Sequence, residues 1–164
     1  MRRIISLLLE NEPGALSRVA GLFSARGFNI ESLTVAATDD ETVSRMTIVT
    51  HGDGGILEQI VKQLNKLVDV IKLMEVSDGE HLDRELMLVK VRATSASSRD
   101  EMDRLVRTFG ARIVEITRQG LIVEVTGNDE KLKAFLDVVE SGSVIEVVRS
   151  GPSAISRGGK ALKL

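Results

Sequence analysis

Cysteine is absent from this sequence of 164 residues. It therefore has no thiolate nucleophile, no disulfide and no cysteine zinc site. Tryptophan and tyrosine are absent as well, and phenylalanine occurs only 4 times, which leaves few platforms for stacking bases. Neither sign of charge dominates: 22 Lys and Arg stand against 24 Asp and Glu, for a net charge of −2. That balance supplies no counterion-release drive, so nucleic acid is not an expected partner. Histidine is limited to His51 and His81, in separate segments. Neither pairs by sequence with a nucleophile and an orienting acid, and no G-x-S-x-G elbow occurs. Long apolar runs are missing too. Ile4 to Leu9 is closed by Glu10 and Asn11, too short for a membrane span or the apolar region of a signal peptide. The expectation is a cytoplasmic protein that does not meet a membrane.

What is present suits an ordinary globular chain, with 43% hydrophobic and 28% charged residues. The length fits one domain or two small ones of about 75 residues each. Leu16, Val19, Ala20 and Phe23 recur at i, i+3, i+4 and i+7, which makes one apolar helix face. The same spacing recurs at Leu57, Ile60, Val61 and Leu64, at Met102, Leu105, Val106 and Phe109, and at Leu132, Phe135, Leu136 and Val139. Strand-like runs rich in Val, Ile, Leu and Thr lie at 4–9, 29–36, 43–50 and 68–76, then at 85–93, 112–117, 121–126 and 144–149. The order is strand, helix, strand, strand, helix, strand, and then the same again. Laying Ile30 on Ile113, an offset of 83 residues, also places Val19 on Met102, Leu22 on Leu105 and Phe23 on Val106. The fold class read from this is α+β: two ferredoxin-like βαββαβ units, each an antiparallel sheet with helices on one face. The units span 1–77 and 84–150, with a polar linker at 78–83 and a mildly basic tail at 151–164, mobile unless it docks.

Two helices can cover only one face of a four-stranded sheet. The usual strand order for this topology, 4-1-3-2, places the second strand on an edge. Asn29–Ala36 carries one charge and no proline, a poorly defended edge. Either a loop or the second unit covers it, or it pairs with a second chain.

The most suggestive local feature is Glu10-Asn11-Glu12-Pro13-Gly14-Ala15-Leu16, between the first strand and the first helix. Proline suits a helix start, and Gly14 permits close approach of a ligand or another backbone. The N–H groups of Gly14, Ala15 and Leu16 would form an anion site at the positive end of the helix, with Asn11 to donate or accept beside it. A small carboxylate such as that of an amino acid would fit, and a plain helix start is the alternative. At the offset of 83, Asn11 falls on Thr94, Gly14 on Ser97 and Asn29 on Arg112, so this chemistry is confined to the first unit. Elsewhere the signals are structural. Asp53 in His51-Gly52-Asp53-Gly54-Gly55 is expected to cap a helix, because the phosphate-loop lysine is missing. Asp39-Asp40-Glu41 reads as a charged hairpin turn, since adjacent carboxylates do not make a cation shell, and no metal ligands are assigned. Glu75 and Glu85 read as charges at strand ends, and Lys62, Lys66, Arg99, Arg104 and Arg107 as solvated helix faces.

Residues 1–19, from Met1-Arg2-Arg3-Ile4 through Asn11-Glu12-Pro13-Gly14-Ala15-Leu16 to Val19, resemble the opening of the small regulatory subunit of acetolactate synthase (acetohydroxyacid synthase). So do Arg26-Gly27-Phe28-Asn29-Ile30-Glu31-Ser32-Leu33-Thr34-Val35, Ser44–Ile48, Gln63–Val70 and Arg84–Lys90, and the resemblance covers essentially the whole chain. It implies an N-terminal ACT domain, which binds the effector and dimerises, and a C-terminal ACT-like domain. It implies a subunit with no catalytic site and no cofactor of its own. That subunit would activate a large catalytic subunit, which carries thiamine diphosphate, Mg²⁺ and FAD, and confer feedback inhibition by valine on branched-chain amino-acid synthesis. The family's effector lies between two ACT domains, the loop after the first strand of one facing the start of the second strand of the other. Carried onto this sequence, those positions are Asn11, Gly14, Ala15 and Leu16, opposed by Asn29 and Ile30 of a second chain in a homodimer. Leu9, Leu16, Ile30 and Val35 are then the apolar residues for a branched side chain, with leucine and isoleucine as alternatives to valine.

Two other classes stand beside this reading. One is a free-standing amino-acid-sensing module acting on another protein, and the other a small enzyme on the same fold. The lack of paired catalytic groups opposes the enzyme, and the lack of a DNA-reading segment opposes a lone transcription regulator. The fold alone does not decide.

Overall fold

The apolar run after Arg3 becomes the central strand of the first sheet because it has to be buried on both faces. In the computed structural model, which describes every residue except Ser141, that strand is β1 (Arg2–Glu10). It is followed by α1 (Ala15–Ala25), β2 (Ile30–Ala37), β3 (Val43–His51), α2 (Gly54–Leu64) and β4 (Val70–Glu75). The sheet order is β2-β3-β1-β4 with antiparallel neighbours, so β2 is an edge strand as expected. Alternation along the strands divides the apolar residues between the two faces. Ile5, Leu7 and Leu9 of β1 and Met46 and Ile48 of β3 meet Val19, Leu22 and Phe23 of α1 and Leu57, Ile60 and Leu64 of α2. Each such large side chain contributes about 1.5–3 kcal/mol on burial.

The second unit repeats the plan with β5 (His81–Arg92), α3 (Ala96–Thr108), β6 (Arg112–Ile116), β7 (Gly120–Gly127), α4 (Asp129–Val138) and β8 (Val144–Arg149). Its order is β6-β7-β5-β8, the same arrangement. Its core joins Met87, Val89 and Val91 to Met102, Val106, Leu132 and Phe135. The chain divides into Met1–Leu82 with Pro152–Leu164, and Asp83–Gly151.

Three expectations need correction. Leu16 is not on the core face of α1: it is 43% exposed, and Ala15, Val19, Leu22 and Phe23 are buried instead. The stretch read as a linker, 78–83, is strand from His81 onward. Glu85 is not a loose charge at a strand end. It is 5% exposed and takes Arg149 through both oxygens, Nε at 2.9 Å and Nη2 at 2.6 Å, and the Gly151 N–H at 3.0 Å.

The tail, expected to be mobile unless it docks, is docked. β9 (Ser153–Ser156) pairs with β5, and the Arg157 N–H donates to the Glu80 carbonyl at 2.9 Å. The segment lies on the sheet face that the helices of the first unit leave open. Ala154 packs among Ile4, Val49 and Val76, and Leu162 among Leu8, Val43 and Met74. Thr34 Oγ1 donates to Pro152 O at 2.8 Å, Arg45 Nη2 to Ala154 O at 2.8 Å, and Lys72 Nζ to Lys163 O at 2.8 Å.

Candidate functional site

The turn between β1 and α1 is set by Pro13 and Gly14. Gly14 has φ 90° and ψ −14°, and the Ala15 N–H donates to Glu12 O at 3.3 Å. Proline followed by a positive-φ glycine makes a type II turn. Glycine is needed here for the backbone angle, more than for the close approach expected of it. The helix begins after the turn, with the Arg18 N–H donating to Gly14 O at 2.9 Å.

No side chain caps α1. The other helices are capped: Asp53 accepts from the Ile56 N–H, Asn128 from the Lys131 N–H, and Ser95 and Ser98 form a full capping box on α3. The N-terminal turn of α1 therefore keeps N–H groups directed outward at the positive end of the helix. Ala15 departs from its expected part, because its N–H closes the turn and its side chain is buried. Leu16, exposed, is the apolar residue that faces out at this end.

Asn11 is anchored to the β2–β3 hairpin. Its N–H donates to Thr42 O at 2.8 Å and its Nδ2 to Glu41 O at 2.8 Å, which fixes the amide and leaves Oδ1 as an acceptor. Arg18 and Asp69 were not singled out in the sequence. Arg18 grips Asp69 through Nε to Oδ2 and Nη2 to Oδ1, both at 2.6 Å. Asp69 is 2% exposed, and its carbonyl accepts the Glu10 N–H at 2.9 Å. The Arg18 hydrogen bonds hold the Asp69 carboxyl below the usual carboxylate range and raise the basicity of Arg18, with Glu12 and Glu10 adding to the latter. The guanidinium lies over the turn: a Cβ placed on Gly14 would come within 2.7 Å of Arg18 Nη1. No local spacing announces a pair separated by 51 residues.

Asn29 and Ile30 are elsewhere. Ile30 pairs with Thr50, which pairs with Arg3 at the start of β1, whereas Asn11 follows Glu10 at its end. At about 3.3 Å per residue, the eight residues from Arg3 to Asn11 put the two groups roughly 26 Å apart along the sheet. Asn29 is exposed, its carbonyl accepting Thr50 Oγ1 at 2.6 Å, and Ile30 packs partly on the core. One chain thus brings together Asn11, Gly14, Ala15 and Leu16, but not Asn29 or Ile30. Of the apolar residues, Leu9 is buried in the core, while Val35 on the edge strand is 42% exposed. The corresponding place in the second unit is closed: the capping box occupies the start of α3, Arg99 donates to Ala93 O and Thr117 O, and Arg112 pairs with Glu124 at 3.0 Å.

Among the described residues, no three His, Asp or Glu side chains converge on a metal position, and no helix is long and apolar enough to cross a membrane.

Comparison with known proteins places the chain closely. Residues 5–72 match the family described as AHAS small subunit-like ACT domain, and residues 84–158 match the small subunit of acetolactate synthase. It is 55% identical over 161 residues to the acetolactate synthase small subunit of Haemophilus influenzae, covering 98% of each chain. It is 54% identical over 164 residues to the acetolactate synthase isozyme 3 small subunit of Escherichia coli, covering 99% of this chain and 100% of that one. The crystal structure of the acetolactate synthase small subunit from Thermotoga maritima superposes with a TM-score of 0.88 at 36% identity, over 98% of this chain and 99% of the other.

Proposed function

The chain belongs to the family of acetolactate synthase small subunits, regulatory rather than catalytic parts of that enzyme, and we propose that it binds a catalytic large subunit, raises its activity and makes it sensitive to valine. Thiamine diphosphate, Mg²⁺ and FAD belong to the large subunit in this reading. The observation that carries the effector site is the uncapped start of α1 beside Asn11, set against the full capping box on its counterpart α3. Valine's carboxylate takes the outward N–H groups of the first helical turn. Its ammonium donates to Asn11 Oδ1. Leu16 flanks the branched side chain, and Asn29 and Ile30 of a second copy close the site from the other side. Leucine and isoleucine compete, because one methylene discriminates by only about 1–3 kcal/mol.

Gly14→Asp tests this in the reconstituted enzyme. The new carboxylate competes for the helix N–H groups and repels the effector. It also brings a Cβ to a position of φ +90° and against Arg18 Nη1, the far end of a flexible side chain. Gly14→Ala carries the same Cβ without the charge and serves as the control. The expected result is near-normal activation, with valine inhibition lost in Gly14→Asp and weakened less in Gly14→Ala. Unchanged valine sensitivity in Gly14→Asp removes this loop from the site. Co-purification from native cells tests the partner, which should be a thiamine-diphosphate enzyme.

A further inference from the structure

The docked C-terminal segment does not fill the open face of the first sheet. Between it and the β2–β3 hairpin lies a cavity of about 720 Å³, within the range of about 300–1,000 Å³ usual for small-molecule sites. Leu8, Val43 and Leu162 line it with apolar surface, as do Ala36 and Ala37 of the edge strand. Arg45 also lines it, half-buried. One of its N–H groups donates to Ala154 O at 2.8 Å. No carboxylate among the described residues lies within ion-pair distance of it, and burial alone acts on its basicity, downward. A partly desolvated guanidinium without a counter-charge is costly, and an anion beside it would remove much of that cost. The acidic residues of the same cavity are otherwise engaged or outlying. Asp40 accepts the Thr42 N–H at 2.9 Å and hydroxyl at 2.6 Å within its own turn, and Asp39 is exposed on that turn.

We infer that this cavity is a second binding site, separate from the helix-start loop, for a small organic anion with an apolar body, whose charged group pairs with Arg45. Val35, named above for the effector's branched side chain, also lines this cavity, but Asn11, Gly14, Leu16, Asn29 and Ile30 do not, so the site stands whether or not that assignment does.

The probe is 1-anilinonaphthalene-8-sulfonate, with the neutral N-phenyl-1-naphthylamine as its uncharged counterpart. The chain has no tryptophan or tyrosine, so probe emission is read without protein background. The wild-type full chain is expected to take the sulfonate saturably, with amide shift changes at Thr34, Arg45 and Leu162. Arg45→Gln should weaken the sulfonate about tenfold, the worth of one charge-assisted hydrogen bond, and leave the neutral probe within about twofold. Arg45→Lys should keep most of the sulfonate affinity. An equal loss of both probes in folded Arg45→Gln would overturn the inference, because Arg45 would then only hold the C-terminal segment. Unchanged sulfonate binding would overturn it too. If Arg45→Gln does not fold, the wild-type shift map decides alone: perturbations confined to residues outside the cavity refute the site.

Discussion

Asp69 carries more of the loop between β1 and α1 than its place in the sequence suggests. Its carboxylate fixes Arg18 above Gly14, and its carbonyl holds the end of β1 through the Glu10 N–H. Because the folded state lowers its pKa, Asp69 contributes stability that is fully present above the ordinary carboxylate pKa of about 3.9. That contribution is lost as pH falls through the lower folded value. Asp69→Asn removes the pair and its titration together. Urea midpoints measured from pH 7 down to pH 2 should show the wild type ahead near neutrality and the gap closing at the acid end. A gap independent of pH would show that the carboxylate's charge contributes nothing. The variant also frees Arg18 to move over the turn, so half-inhibition of the reconstituted enzyme should need several-fold more valine. The helix start was legible from local signals, but the type II turn before it was not, since Pro13 reads as part of the helix start and Gly14 as room for close approach. The burial of Ala15 in place of Leu16 was not legible either, since both sets follow the helical period and the turn selects which faces inward. Arg18 and Asp69 left no trace at all, because ion pairing across the fold has no periodicity.

Among the elements, the four helices and eight of the strands could be read from periodicity, and Val144–Arg149 kept even its ends. β9 escaped because Ser153–Ser156 is too short for a repeating pattern and lies among glycines and polar residues. Its role follows from what it covers: Ala154 and Leu162 shield the apolar side chains that the helices of the first unit cannot reach. Leu162 is 8% exposed, so Leu162→Ala should cost about 2 kcal/mol, at the low end for buried leucine because the site is near the chain end. The loss should be accompanied by faster hydrogen exchange and protease cleavage within 153–164. An unchanged urea midpoint with unchanged protection there would mean that the segment is held by its hydrogen bonds alone.

For the whole molecule, the decisive fact is that the candidate site residues occupy opposite ends of one sheet. Asn11, Gly14 and Leu16 lie beyond the end of β1, and Asn29 and Ile30 at the start of β2. No motion within a folded chain closes that distance. An antiparallel pairing of β2 with β2 of a second copy does, because it lays the start of one strand beside the end of the other. The edge is suited to it: Ile30–Ala37 has β3 on one side only, one charged residue, and an exposed Val35. The capping box takes up the start of α3 in the second unit, so calorimetry should find effector bound only through the N-terminal units. If each valine bridges two chains, linkage requires valine to strengthen the dimer. At about 100 times its dissociation constant, each bridging site adds about 2.7 kcal/mol, which tightens the dimer about 100-fold. Sedimentation over a dilution series should therefore show dimers persisting to much lower protein concentration with valine than without it. Gly14→Asp should dimerise alone but lose the valine response. A monomer that binds valine tightly, or a dimer whose dissociation ignores saturating valine, would place the effector within one chain and break the link between the edge strand and the site.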